Sequence, residues 1–169
     1  TLSGGSTVTQ QVARTLLLSN EKSERTFRRK LRETVLAWQL TRAHSKDEIL
    51  AMYLNQIYYG GMAYGIEAAS QTYFGKPASD LLLPECALLA GLPQTPGVYN
   101  PFTNPDHALE RQKVVLGLME KNGFITSAER TDAENAPLSY NPAPYPIEAS
   151  HFVWMIKDQL DELFASGQL

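Results

Sequence analysis

The sequence predicts a mainly α-helical domain. Three features carry that reading: capping boxes at Thr7/Gln10, Ser45/Glu48 and Thr126/Glu129, glycines and prolines at the ends of helical-period stretches, and no five-residue run that alternates convincingly in the strand manner. At 169 residues and 18.8 kDa, with 43% hydrophobic residues, the chain is about one domain with a core of ordinary size.

In chain order, Thr7 and Gln10 open a helix running to about Leu18, and Ser23 can cap a long one from Glu24 to about Ala43. Ser45 and Glu48 open a third that ends near Gly60-Gly61. Shorter helices follow from Ile66 to Phe74, stopped by Gly75, and from Pro84 to Ala90, stopped by Gly91. Asn104-Pro105 starts the next, closed by Asn122-Gly123, and Thr126 caps another. The stretch from Gly91 to Pro105 holds four prolines and reads as irregular, pinned by Tyr99 and Phe102. Pro137 to Pro146 holds four more and reads as a linker, so the domain is expected to finish near Tyr140. An amphipathic helix from Ser150 to about Ala165 then follows. Because the chain opens with Thr1 inside what reads as a motif, it is expected to be a piece of a longer polypeptide.

One cysteine, Cys86, excludes an intramolecular disulfide. His44, His107 and His151 have no metal-ligand spacing with it or each other, so zinc modules are excluded too and no metal site is expected. No apolar run reaches the roughly 18 residues of a membrane span, and no signal peptide is expected within these residues. Charge is uneven: residues 1–46 hold nine Lys/Arg against three Asp/Glu, a balance of +6, and residues 47–169 hold six against fifteen, a balance of −9. The first third is therefore expected to seek an anion, such as a phosphate, a nucleic acid or a membrane surface.

On the second helix, Phe27, Leu31, Val35 and Trp38 lie within about 80° at 100° per residue and are expected to form its core stripe. Glu33 lies off that stripe, with Arg29 four residues before it and Lys30 three before it. A surface ion pair is the plain reading, but Arg before Glu is the weaker helical order, and one carboxylate cannot pair the four cations of residues 28–32. The surplus suits an anionic ligand, with Glu33 handling charge or a proton. Residues 4–11, Gly-Gly-Ser-Thr-Val-Thr-Gln-Gln, feed hydroxyls and amides into a helix N-terminus that favours phosphate or sugar oxygens, with Arg14 close behind. In the helix at residues 46–60, Ile49, Leu50, Tyr53, Leu54 and Ile57 make a core face, and the Asn55 amide is expected to tie down a neighbouring segment. Cys86 is expected to be a small buried hydrophobe.

The stretches 4–11, Arg-Lys-x-x-Glu at 29–33, 46–60, Tyr-Phe-Gly-Lys at 73–76, and 84–96 with Tyr-Asn-Pro at 99–101 resemble, in order, motifs of the peptidoglycan glycosyltransferase domain of class A penicillin-binding proteins, glycosyltransferase family 51. The resemblance implies a lysozyme-like helical fold at the extracytoplasmic face of the bacterial cytoplasmic membrane. It implies polymerisation of lipid II into glycan with inversion and release of undecaprenyl pyrophosphate. The partners implied are lipid II, the growing glycan chain, the membrane surface through the parent protein, and inhibitors of the moenomycin type, with no nucleic acid. No cofactor is required, and a divalent cation (Mg or Mn) at the pyrophosphate is left open.

By the same resemblance Glu33 matches the second catalytic glutamate, flanked by Arg29 and Lys30, and Ser6, Thr7, Thr9, Gln11 and Arg14 match substrate contacts. Arg14 stands where the family commonly has Lys, a change of geometry at constant charge. The family's first catalytic glutamate belongs to a Glu-Asp-x-x-Phe-x-x-His-x-Gly stretch, and no Glu-Asp pair occurs in this sequence. Residues 1–140 are thus expected to be an N-terminally truncated glycosyltransferase domain, inactive alone, with 141–169 leading towards a transpeptidase domain. Two alternatives are a lysozyme-like glycan cleaver, which leaves the cations around Glu33 unexplained, and a non-enzymatic module binding anionic head groups through residues 14–32.

Overall fold

The structure, a computed structural model, describes residues 5–18, 26–141 and 156. It is mainly α-helical, in keeping with the lysozyme-like class. Helix α1 spans Val8–Val12 and continues as a π-helical turn over Ala13–Leu17. Helices α2 (Phe27–Ala43) and α3 (Lys46–Gln56) follow, then a short antiparallel hairpin of β1 (Tyr58–Gly60) and β2 (Ala63–Tyr64). Helices α4 (Ile66–Phe74), α5 (Leu83–Gly91), α6 (Pro105–Lys121) and α7 (Ser127–Asn135) complete the described chain. All three capping boxes form, each with reciprocal side-chain and backbone bonds. The predicted start of the second helix at Ser23 lies outside the described residues; the observed cap is Thr26, whose Oγ1 accepts from the Arg29 N–H at 3.2 Å. The predicted helix at 150–165 also lies outside them, Ile156 excepted.

The core sits under the hairpin. Tyr59, Tyr73, Phe74, Leu88, Leu89 and Leu92 pack there with Ala63, Ala69 and Ala108. Phe102 stacks on Tyr73 at 5.3 Å and Tyr99 packs against the same cluster, so the 91–105 stretch is anchored by the expected aromatics, while Tyr140 stacks on Phe74 at 5.8 Å. Asn141 donates its backbone N–H to the Tyr73 carbonyl at 2.8 Å, which ties the end of the described chain to α4. Helices α5 and α6 make the most extensive helix pair, closed by the buried Gln112 amide donating to the Pro84 carbonyl at 2.8 Å.

Several expectations change. The third helix stops at Gln56 rather than near Gly60-Gly61, because the chain turns into the hairpin there. Helix α5 ends at Gly91, but not on a left-handed cap: the Gly91 backbone is right-handed (φ −77°, ψ −30°) and the chain runs on as a 3-10 turn over Leu92–Gln94. Glycine is needed there for clearance, since a Cβ would stand 2.8 Å from Cγ of Arg111 on α6. The hairpin was not foreseen, because five residues are too few to show alternation; its turn depends on positive φ at Gly60, Gly61 and Met62.

The predicted core stripe of α2 faces outward. Phe27 is 85% exposed, Leu31 56%, Val35 48% and Trp38 58%, whereas the buried positions are Glu33 and Ala37. Helical period locates an apolar face but not the partner that covers it. Helix α2 packs on α1, its π turn and α3 through the opposite, charged face.

Burial raises the pKa of Tyr53, Tyr59 and Tyr140 above the ordinary phenol value, with the neighbouring Tyr53 adding to the shift at Tyr59. The unfolded chain then loses these protons first. Stability contributed by the buried phenols is complete below about pH 10 and falls as pH rises towards the folded values. Denaturant midpoints between pH 8 and 11.5 should stay level and then drop beyond about 10; a midpoint still level at the top of that range would contradict it.

Candidate active site

The short helix α1 organises the site. Thr7 Oγ1 accepts the Gln10 N–H and the Gln10 carboxamide oxygen accepts the Thr7 N–H, both at 3.2 Å, which starts the helix directly after Gly5-Ser6. On α2, the Thr26 cap turns Arg29, Lys30 and Glu33 towards α1. Lys30 Nζ donates to Glu33 Oε1 at 2.6 Å, to Ser6 Oγ at 2.9 Å and to Gln10 Oε1 at 3.4 Å. Arg29 Nη1 donates to Glu33 Oε2 at 3.3 Å. Glu33 is fully buried. Removing a carboxylate from water costs several kcal/mol unless it is paired and hydrogen-bonded, and here two cations do so. The group still holds two positive charges against one negative. Arg29 Nε, also buried, has no hydrogen-bond partner among the described residues.

A cleft of about 280 Å³ opens along a neighbouring face of α1. Gln11 and Arg14 line it from α1 and the π turn, Tyr53 and Gln56 from α3, and Tyr58 and Tyr64 from the hairpin. The two hairpin tyrosines pair across the strands with ring centroids 4.7 Å apart. Insertions of this π kind recur where a helix must aim side chains at a functional site.

The residues expected to act therefore fall into two groups. Ser6, Arg29, Lys30 and Glu33 are joined in one hydrogen-bonded cluster, and Gln11 and Arg14 line the cleft. The Thr7 hydroxyl serves as the helix cap, and Thr9, half-buried, lies in neither group. Gln10 is expected from the sequence as a cap and as one amide of the 4–11 stretch; that it also bonds Lys30 depends on how two helices dock, which spacing cannot show.

The remaining motif residues position rather than line the site. Asn55 approaches the hairpin with its backbone and not its amide: Gly65, at φ +86°, lies so near that a Cβ there would stand 2.8 Å from the Asn55 carbonyl oxygen. Leu50, expected in the core face of α3, is 47% exposed, while Ile49 is buried. Lys76 bonds Glu85 at 2.7 Å, and Glu85 also accepts the Leu82 N–H at 2.7 Å, joining the loop after α4 to the start of α5. Cys86 is exposed rather than buried, because α5 turns Ala87, Leu88 and Leu89 inward. Desolvation by its neighbours, and then the Glu85 charge, raise its thiol pKa. No group of three or more His, Cys, Asp and Glu suited to a metal occurs among the described residues.

The transglycosylase family model matches residues 1–120. This chain belongs to the transglycosylase family. Among its relatives, penicillin-binding protein 1A of Aquifex aeolicus is 46% identical over 154 residues, covering 91% of this chain and 21% of that protein. Penicillin-binding protein 1A of Pseudomonas aeruginosa is 45% identical over 159 residues, 93% of this chain and 19% of the relative. The crystal structure of penicillin-binding protein 1A from Haemophilus influenzae superposes with a TM-score of 0.59 at 36% identity, covering 72% of this chain and 18% of that one. This transglycosylase chain thus spans about a fifth of the length of the curated relatives it matches. The matched region of the family includes both groups of candidate residues.

Proposed function

We propose that this chain is the donor-holding part of a peptidoglycan glycosyltransferase that polymerises lipid II, with inversion at the sugar and undecaprenyl pyrophosphate as leaving group. The observation that carries the reading is the sealed Glu33 carboxylate clamped by Arg29 and Lys30. As the glycosidic bond breaks, negative charge grows on the pyrophosphate, and cations already in place stabilise that charge more than they stabilise the intact donor. Arg29, its side chain 13% exposed, adds its charge from just beneath the surface, and Lys30, its side chain 44% exposed, presents its charge to an incoming anion. The role of Glu33 is to hold the two cations in register; a Mg or Mn ion at the pyrophosphate would add to the same charge compensation. The cleft lined by Gln11, Arg14 and the tyrosines is assigned to the donor saccharide.

We assign the glycosyltransferase domain to residues 1–140. In the family that this chain resembles, the base for the acceptor hydroxyl belongs to a Glu-Asp stretch, and these 169 residues contain no such pair. Residues 1–169 alone are accordingly proposed to bind donor without polymerising it. No described helix is long and apolar enough to cross a membrane, but the exposed apolar face of α2 suits contact with the outer surface of the cytoplasmic membrane. The test is binding of a lipid II analogue, or of a moenomycin-type phosphoglycolipid, to the full-length protein and to Arg29→Ala. Loss of one charge-assisted contact should weaken binding about tenfold or more. Equal binding by the variant would remove the pyrophosphate from α2.

A further inference from the structure

The third residue of α1 is unusual among the capping boxes of this chain. In the boxes of α3 and α7 the residue reaching back is glutamate, and its carboxylate accepts the cap N–H at 2.7 Å. A negative charge at that place also suits the positive end of the helix. At α1 the residue is Gln10, and its neutral oxygen makes the longer bond of 3.2 Å. The same oxygen is one of three acceptors around the Lys30 ammonium, with Ser6 Oγ and Glu33 Oε1. An ammonium has three protons to donate, and these three acceptors account for all of them.

From this we infer that Gln10 is a positioning residue: it orients the Lys30 ammonium through a neutral acceptor, so that the cation is held without being neutralised and its charge stays available to an anionic donor. Glutamate at position 10 would make the better cap and the worse site. It would set two carboxylates against the Arg29 and Lys30 charges, leaving no surplus for a pyrophosphate. The inference rests on the donor-holding role proposed above for Arg29 and Lys30. It concerns a residue that touches those groups rather than the substrate.

The capping role and the positioning role rank the two variants in opposite order, which makes them separable. Gln10→Glu keeps the cap and consumes the charge; Gln10→Met keeps the length and apolar stem and removes the acceptor. In the full-length protein, thermal stability should run Gln10→Glu equal to or above wild type, with Gln10→Met below both. Affinity for inorganic pyrophosphate by titration calorimetry, and kcat/KM for polymerisation, should run wild type first, Gln10→Met next and Gln10→Glu last. Gln10→Glu should lose tenfold or more, seen in polymerisation as a higher KM for the lipid-linked donor. Affinity that follows the stability order would overturn the inference. Wild type that binds pyrophosphate with the predicted order but forms no polymer would defeat the proposed reaction and leave the role of Gln10 standing. Wild type that binds no pyrophosphate would overturn both.

Discussion

Glu33→Gln in the full-length protein is expected to lower the rate of glycan polymerisation by about 10²–10³-fold, the scale seen when one preorganised electrostatic group is removed from a reaction centre. The amide can still accept from Lys30, so the geometry is nearly conserved while the charge that holds Arg29 and Lys30 together is lost. Their mutual repulsion then opens the pair. Removing one partner of a fully buried ion pair costs about 3–5 kcal/mol. Here solvent reaches Lys30, whose side chain is 44% exposed, so the loss of folding stability should be smaller, on the order of 2 kcal/mol. Polymerisation is followed by gel separation of labelled glycan and stability by denaturant unfolding. A variant that polymerises at the wild-type rate would remove Glu33 from the reaction.

Gly65→Ala should be the most damaging single methyl group in the domain. Two independent constraints act at this position. Its φ of +86° is a conformation that a side chain occupies only with strain, and the new Cβ would lie 2.8 Å from a backbone carbonyl oxygen, which cannot rotate away. Together they should cost roughly 3 kcal/mol, lowering the melting temperature by about 6–12 °C. The damage should extend to function, because Gly65 follows β2 directly and Tyr64, the residue before it, lines the cleft. Gly97→Ala is the matched control: nothing lies within 4 Å of its Cβ position, and stability should change by less than about 0.5 kcal/mol. Equal melting temperatures for the two variants would show that the hairpin moves freely relative to α3.

Helix starts were legible because a cap is a local device. Thr7, Ser45 and Thr126 each act on residues within one turn, and sequence spacing contains the whole interaction. The stop at Gly75 was legible for the same reason, with a left-handed φ of +67°. Gly91 marks the end of α5, but the reason for a glycine there was not legible, because it is clearance from Arg111, twenty positions away on another helix. The α2 stripe misled more deeply: four apolar residues on one face are the usual mark of burial, yet that face is outside and a carboxylate is inside. Arg29, Lys30 and Glu33 could be placed together from their spacing alone. Ser6 and Gln10 joined them only through the docking of α1 on α2, a long-range fact.

Helix α1 proper is five residues long. A helix of that length does not repay the entropy of its own nucleation, so its existence is a property of the packed domain and not of the segment. The capping box directs the Thr7 hydroxyl and the Gln10 amide within the segment, and Lys30, bridging from α2, holds the Ser6 hydroxyl and the same Gln10 oxygen. Order at this centre is therefore shared between elements: loosening α2 would release Ser6 and the Gln10 oxygen from Lys30 and leave α1 with its capping box and its packing on α3.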